Sequence, residues 1–236
     1  MATASSQSSS SSADSWKKES TGFYQRPRVL STTSIDVTHD VSVQLIEFDN
    51  CTGLENATLL QSFQSATLTS VLVGGFLRES LKLPLVGVIA SPHFPPRALV
   101  ENGVPAHAVR IFGSSALVIV SCEFKLPSSE LIEAVTRACF VFAKKHKLRL
   151  LVAVEGLPMD DEITDDASHK LAFVATNQKF STCMLELAHE PLQDSVIVGV
   201  AGALLADSVI YDCDVACLVA PTSSKFPDAR SAVACV

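Results

Sequence analysis

The sequence predicts an α/β domain of three layers, an α/β/α sandwich with helices on both faces of a mixed, largely parallel sheet. Three observations lead there. Apolar runs such as Leu117-Val118-Ile119-Val120 and Leu150-Leu151-Val152-Ala153-Val154 are continuous rather than alternating, as strands covered on both faces are. These runs alternate with segments of helical period, the order that builds a sheet flanked by helices. The chain has 236 residues, 47% apolar and 18% charged, enough for one sizeable core without a disulfide or metal staple.

The elements follow in order. Residues 1–34 are expected to be a disordered Ser-rich tail. Nine of the first twenty residues are Ser, Ser8 to Ser12 are unbroken, and nothing periodic precedes Ile35. Such a segment buries too little apolar surface to offset its ordering entropy. A transit peptide is opposed by the lack of Arg before Arg26, by Asp14 and by the missing amphipathic face. Residues 35–236 are expected to form a single α/β domain. Its strands are predicted at 41–48, 85–90, 109–112, 116–121, 148–154, 171–176, 195–200 and 215–220.

Three helices are predicted. The first covers 66–81, with Leu68, Leu72 and Phe76 one turn apart. The clearest follows Pro127: Ser128 caps it, Glu130 suits its positive end, and Leu131, Ile132, Val135, Ala138, Cys139, Phe142 and Ala143 form its apolar stripe. Lys144, Lys145 and Lys147 then meet its negative end. The third begins near Gly202. Residues 58–77 carry no charge, yet Gln61, Ser62, Gln64, Ser65, Thr67, Thr69 and Ser70 among them are polar, so a membrane span is rejected.

Composition excludes some functions. Eighteen basic against twenty-five acidic residues give a charge of −7, which lacks the cationic surface that nucleic acid demands. The seven cysteines form no CxxC pair, and Cys122, Cys139 and Cys217 lie in apolar stretches as small core residues do. With no apolar signal segment at the start, a reducing cytosol, or also the nucleus, is the expected compartment.

Catalytic chemistry is hard to place. Gly-x-Ser-x-Gly does not occur, and Gly113-Ser114-Ser115 joins two strands rather than a strand and a helix. The six histidines are scattered without zinc spacing. Asp160, Asp161, Glu162, Asp165 and Asp166 lack the pattern of a calcium loop and read as a solvated loop. No catalytic set, metal or cofactor is expected. The run from Val196 to Leu205, with Gly199-Val200-Ala201-Gly202 within it, reads as a strand, a tight turn and a helix, which aims backbone N–H groups at the sheet edge. It is GxxG without the further glycine of a dinucleotide fingerprint. If a small ligand binds, Thr176, Asn177, Gly199 and Gly202 are the candidate residues, at strand ends. The same glycines also serve a plain turn and close packing.

Taken in order, Leu85-Val86-Gly87-Val88-Ile89-Ala90, Phe94-Pro95-Pro96, Val100-Glu101-Asn102-Gly103 and Val109-Arg110-Ile111-Phe112 resemble the first half of the proteasome assembly chaperone superfamily. Glu155-Gly156-Leu157-Pro158, Ala175-Thr176-Asn177, the glycine turn and Phe226-Pro227-Asp228-Ala229-Arg230 continue the resemblance, which covers residues 60–236 and is closest to the archaeal-type members. It implies a phosphorylase-like sandwich and a non-catalytic chaperone that binds proteasome α-subunits during α-ring assembly, as an oligomer or with a second assembly chaperone. The alternative is a nucleotide- or nucleoside-binding or group-transfer enzyme on the same fold, which thermal stabilisation by such a ligand would favour.

Two departures bear on this. The glycine-rich turn before the first long helix is replaced by Phe63-Gln64-Ser65-Ala66-Thr67. The family's usual C-terminal helical extension is lacking, and Ala234-Cys235-Val236 has no tyrosine for a docking tail. Binding through such a tail is therefore not expected. Among single residues, Pro95 and Pro96 should fix a surface turn and Glu101 to Gly103 another. Arg110 should pair with an acid, and Asp228 with Arg230 should stand at the start of the last helix.

Overall fold

The computed structural model describes residues 27–64, 67–101, 103–159, 171–187, 189–223 and 229–236. The elements are β1 (Val29–Asp36), β2 (Ser42–Phe48), β3 (Thr58–Phe63), α1 (Thr69–Ser80), β4 (Leu85–Ala90), β5 (Leu99–Glu101), β6 (Val104–Ala106), β7 (Val109–Gly113) and β8 (Leu117–Cys122). After them come α2 (Ser129–Lys145), β9 (Leu150–Met159), β10 (Ala172–Ala175), α3 (Gln178–Glu186), β11 (Glu190–Pro191), α4 (Gly199–Asp207), β12 (Val215–Ser223) and α5 (Ala229–Ala234).

Among the described residues ten strands form one mixed sheet in the order β1-β2-β4-β7-β8-β3-β9-β12-β10-β11. Only β8-β3-β9-β12 and the short β10–β11 pair are parallel; the remaining pairs are antiparallel. The expected "largely parallel" sheet is thus corrected to a partly parallel one. The reason lies in the connections. Parallel strands need long crossovers, and α2 supplies one from β8 to β9 on the two sides of β3, whereas the short link from β7 to β8 forces a hairpin.

Side-chain alternation sorts the two faces. Leu59, Val118, Val120 and Leu151 join the core under α2 and α4. Leu60, Ile119 and Val154 join Val73 of α1 and Ala232 of α5 on the other face. Helices therefore flank both faces. The α2 prediction holds in detail: Ser128 Oγ accepts from the Leu131 N–H, Glu130 lies in the first turn, and Lys144 and Lys145 lie in the last. Phe140 of α2 stacks on Tyr211 at 4.4 Å, tying α2 to the segment after α4.

Several expectations change. Residues 29–34, read as tail, belong to β1, which pairs along β2. Residues 1–26 lie outside the described residues, as do Asp160, Asp161, Glu162, Asp165, Asp166, Asn102 and Phe226 to Asp228. Residues 58–77 are divided between β3 and α1, and no helix among the described residues is long and apolar enough to cross a membrane. Glu101 ends β5 and Gly103 lies in the turn of the small β5–β6 hairpin, and Pro95 and Pro96 lie in the loop between β4 and β5.

The predicted strand at 195–200 does not form. Val196 and Val198 are 81% and 59% exposed, without a neighbouring strand. Gly199 takes φ +73° and starts α4 three residues before the expected position. That positive φ is one that residues with a Cβ adopt at a cost. Gly202 serves a close approach instead: a Cβ there would stand 2.2 Å from the Ile197 carbonyl oxygen. Gly202→Ala is expected to cost about 2 kcal/mol, because backbone rather than a side chain must yield. Urea unfolding checks this, and a loss under about 0.5 kcal/mol, the range of ordinary surface substitutions, would refute it.

Candidate functional site

The four candidate ligand residues do not come together. Thr176 and Asn177 follow β10 at the end where β12 begins. The Thr176 N–H donates to the Val215 carbonyl at 2.9 Å, and Thr176 Oγ1 accepts from the Val215 N–H at 2.9 Å. Asn177 caps α3, its Oδ1 accepting from the Phe180 N–H at 3.0 Å, while its Nδ2 donates to Asp214 at 2.5 Å. Both residues are thus engaged in holding β10, α3 and β12 together. Gly199 instead lines a cavity with Gln61 and Glu155. Glu155 pairs with Val219, four residues along β12 from Val215, or about 13 Å along the strand. Gly202 sits in the first turns of α4, against Ile197.

Two ionic clusters were not legible as sites. In the first, Glu47 of β2 is 1% exposed beneath the end of α2. Its Oε1 meets His146 Nε2 at 2.5 Å and its Oε2 accepts from Ser31 Oγ at 2.8 Å and from Lys145 Nζ. Cys51 Sγ lies 3.6 Å from His146 Nε2 and 3.7 Å from Glu47 Oε1. A nucleophilic relay needs the thiol and the carboxylate on different ring nitrogens, whereas both converge here on Nε2. Burial, with Glu47 beside it, pushes the Cys51 thiol up to about 12, so no thiolate is available. Among the described residues this is the one His, Cys and acid group tight enough to share a cation. The Lys145 ammonium already supplies positive charge to the carboxylate.

The second cluster centres on Arg110 of β7, which finds its expected acids in Glu101 and Glu123. Glu101 is an ion pair at 2.5 Å without hydrogen-bond alignment, and Glu123 accepts from Nη2. Arg78 of α1 reaches Glu101 as well, at 2.9 Å, and both guanidiniums lie over the Phe112 ring. Burial opposes ionisation of Glu101, yet the two guanidiniums hold its carboxyl below the usual carboxylate range.

The feature that departs furthest from expectation is α1. Its buried face is built of small residues, half of them polar: Thr69, Ser70, Val73 and Gly74. Ser70 Oγ donates to the Gln61 carbonyl and Ser62 Oγ to the Ser70 carbonyl, both at 3.1 Å, which brings the helix close onto β3. The apolar side chains one turn apart face outward, so Phe76 is 58% and Leu72 37% exposed. With Val73, Ala229, Ala232, Val233 and Val236 they line a groove of about 470 Å³ between α1 and α5. An apolar groove left open to water marks a contact surface.

Comparison with known proteins adds the following. The sequence model of the PAC2 family matches residues 59–236. No curated protein matches the sequence. Among solved structures, Pyrococcus furiosus PbaA, described as an archaeal homolog of proteasome-assembly chaperone, is similar with a TM-score of 0.72 at 21% identity, over 80% of this chain and 76% of that one. Pyrococcus furiosus PbaB, described as an archaeal proteasome activator, gives 0.68 at 16% identity, over 81% and 85%. A proteasome-assembly chaperone homologue of Mycobacterium tuberculosis gives 0.57 at 15% identity, over 75% and 81%. At these identities the likeness to the structures is one of fold.

Proposed function

The chain belongs to the PAC2 family, and from that premise we propose that it is a non-catalytic assembly factor that binds proteasome α-subunits during formation of the α-ring. The observation that carries the reading is the reversed amphipathicity of α1. Ser70 ties this helix to β3, while Leu72 and Phe76 are left for a partner. The names of PbaA and of the mycobacterial homologue point to the same role. Raised thiol pKa values support a non-catalytic protein: Cys122 and Cys139 are pushed up to about 12 by burial.

In this reading the groove between α1 and α5 receives an apolar element of the α-subunit, and Phe76 and Val233 are its centre. The protein works as an oligomer or beside a second chaperone. Affinity purification of the full chain from its own cells, with mass spectrometry of the partners, tests the proposal. Proteasome α-subunits should be recovered without mature proteolytic subunits. The Phe76→Asp, Val233→Asp double variant should lose about 30-fold in α-subunit recovery, the equivalent of about 2 kcal/mol for a central apolar contact. Both positions are exposed, so the circular dichroism spectrum and melting temperature should be kept. A wild-type preparation containing no α-subunit would overturn the proposal.

A further inference from the structure

The cluster under the end of α2 brings three different donor atoms to one point. Glu47 stands one residue before the end of β2. Cys51 lies in the turn that follows, held by its N–H donating to the Phe48 carbonyl at 2.9 Å. His146 closes α2, its N–H donating to the Phe142 carbonyl at 3.0 Å and its ring resting on that of Phe142 at 4.4 Å. A strand, a tight turn and a helix end therefore set the three side chains independently. All are sheltered, with Glu47 and Cys51 buried and the His146 side chain 14% exposed.

Their spacing is that of a coordination sphere. Tetrahedral Zn²⁺ binds sulfur at about 2.3 Å and nitrogen or oxygen at about 2.0–2.1 Å, which puts S and N about 3.6 Å apart and S and O about 3.5 Å apart. Cys51 Sγ lies 3.6 Å from His146 Nε2 and 3.7 Å from Glu47 Oε1. The Nε2–Oε1 distance of 2.5 Å is that of a hydrogen bond, and an ion between them would open it to about 3.3 Å. Hydrogen bonding alone accounts for the contacts of Glu47 with Ser31, Lys145 and His146. It gives no role to Cys51, a weak donor nearly equidistant from Oε1 and Nε2.

The carboxylate is divided between two tasks. Its Oε2 accepts from Ser31 and Lys145, while its Oε1 faces Cys51 and His146. Ser31 thus supplies the outer hydrogen bond that steadies a ligating carboxylate. Lys145, its side chain 43% exposed, is free to turn to water as a dication arrives. The donors also choose the ion. Mg²⁺ and Ca²⁺ take oxygen ligands, of which the cluster offers one, whereas thiolate and imidazole suit Zn²⁺.

We infer that Glu47 Oε1, Cys51 Sγ and His146 Nε2 bind one Zn²⁺, with water as the fourth ligand. Binding replaces the S–H bond of Cys51 by an S–Zn bond and releases that proton to solvent. His146 binds as the neutral ring, with its proton on Nδ1. The ion pins β2 and its turn to the end of α2. The site lies on the face of the sheet opposite the α1–α5 groove, so the inference is independent of the chaperone reading.

Titration of the chelator-treated full chain with Co²⁺, and then with Zn²⁺, tests it. One Co²⁺ per chain should bind, with thiolate-to-metal charge-transfer absorption in the near ultraviolet and the visible bands of a tetrahedral ion. Zn²⁺ should bleach both and raise the melting temperature. X-ray absorption of the zinc form should find one sulfur among lighter ligands. Cys51→Ser and His146→Gln should each weaken Zn²⁺ at least about 100-fold, beyond the roughly 10–100-fold that an outer-shell partner is worth. Cys183→Ser, Cys213→Ser and Cys235→Ser, at the cysteines that are not buried, should leave binding unchanged. The absorption and the ligand count need no variant, and so decide even where one folds poorly. Failure of either metal to bind would overturn the inference, as would Co²⁺ binding without the charge-transfer band. Two sulfurs around zinc, or a band that survives Cys51→Ser, would place the metal elsewhere and overturn it too.

Discussion

Replacing Glu101 and Glu123 together by Gln is expected to destabilise the protein by about 3 kcal/mol, the low end of what breaking a buried ion pair costs. The direction follows from an asymmetry of exposure. The Arg110 side chain is 2% exposed, while those of Glu101 and Glu123 are 41% and 30% exposed. Without the two carboxylates the guanidinium stays in the middle of the sheet with amide oxygens for company, because β4 and β8 flank β7 and water cannot reach it. Arg110 removed instead, as Arg110→Met, leaves two acids that rehydrate at the surface. The double glutamine variant should therefore lose more stability than Arg110→Met, although it removes fewer atoms. For a chain of this size 3 kcal/mol corresponds to a fall in melting temperature of roughly 6–12 °C. Urea unfolding of the three proteins is the measurement, and a larger loss for Arg110→Met would show that the guanidinium over Phe112, rather than the pairing with the two acids, is what counts.

The same residue shows what a sequence can and cannot say. That Arg110 needs an acid could be read from a charge inside the apolar run Val109–Phe112. Which acid could not be, since Glu101 reaches it through the β5–β6 hairpin and Glu123 through the turn out of β8. The central strands β8, β9 and β12 were legible because burial on both faces demands continuous apolar residues. The strand β3 was not: its Gln61 and Ser62 are buried polar residues, and the partner of Ser62 is the Ser70 carbonyl of α1 rather than anything in β3. An edge strand such as β1, with alternate exposed Ser and Thr, carries little hydrophobic signal and was absorbed into the tail. Residues 195–198 carried too much of it, because an apolar run says nothing of whether a neighbour is there to pair with.

The candidate site divides in the same way. Gly199 and Gly202 were legible as a turn into a helix, since glycine chemistry is local. The groove between α1 and α5 was legible only as apolar periodicity. The stripe through Leu72 and Phe76 reads as a core face until Ser70, on the other side of α1, is seen hydrogen-bonded to β3. Gln61 and Glu155 converge on α4 from β3 and β9, so only the sheet order brings them to one cavity.

Glu47→Gln is expected to cost about 3 kcal/mol near neutral pH and progressively less in acid. Burial on its own raises the Glu47 carboxyl, but hydrogen bonds from Lys145, His146 and Ser31 outweigh it, and its pKa in the folded protein lies below the ordinary 4.5. A depressed carboxyl pKa stabilises the fold above the unfolded value, and that contribution is lost as pH falls through the folded value. The wild-type advantage over Glu47→Gln should therefore be complete above about pH 5 and shrink below it. Lys145 is 43% exposed and regains water when the carboxylate goes, which keeps the cost at the low end for a buried pair. The cluster also has a place in the architecture, since it joins β1 through Ser31, β2 through Glu47 and the end of α2 through Lys145 and His146. Acid should accordingly loosen the β1–β2 edge before the parallel strands β3, β9 and β12. Urea unfolding of both proteins from pH 7 to pH 3, with amide exchange of β1, tests both statements. Stability curves that stay parallel down to pH 3 would mean that Glu47 is not the group through which acid acts, and early exchange in β9 instead of β1 would put the weak point at the wrong end of the sheet.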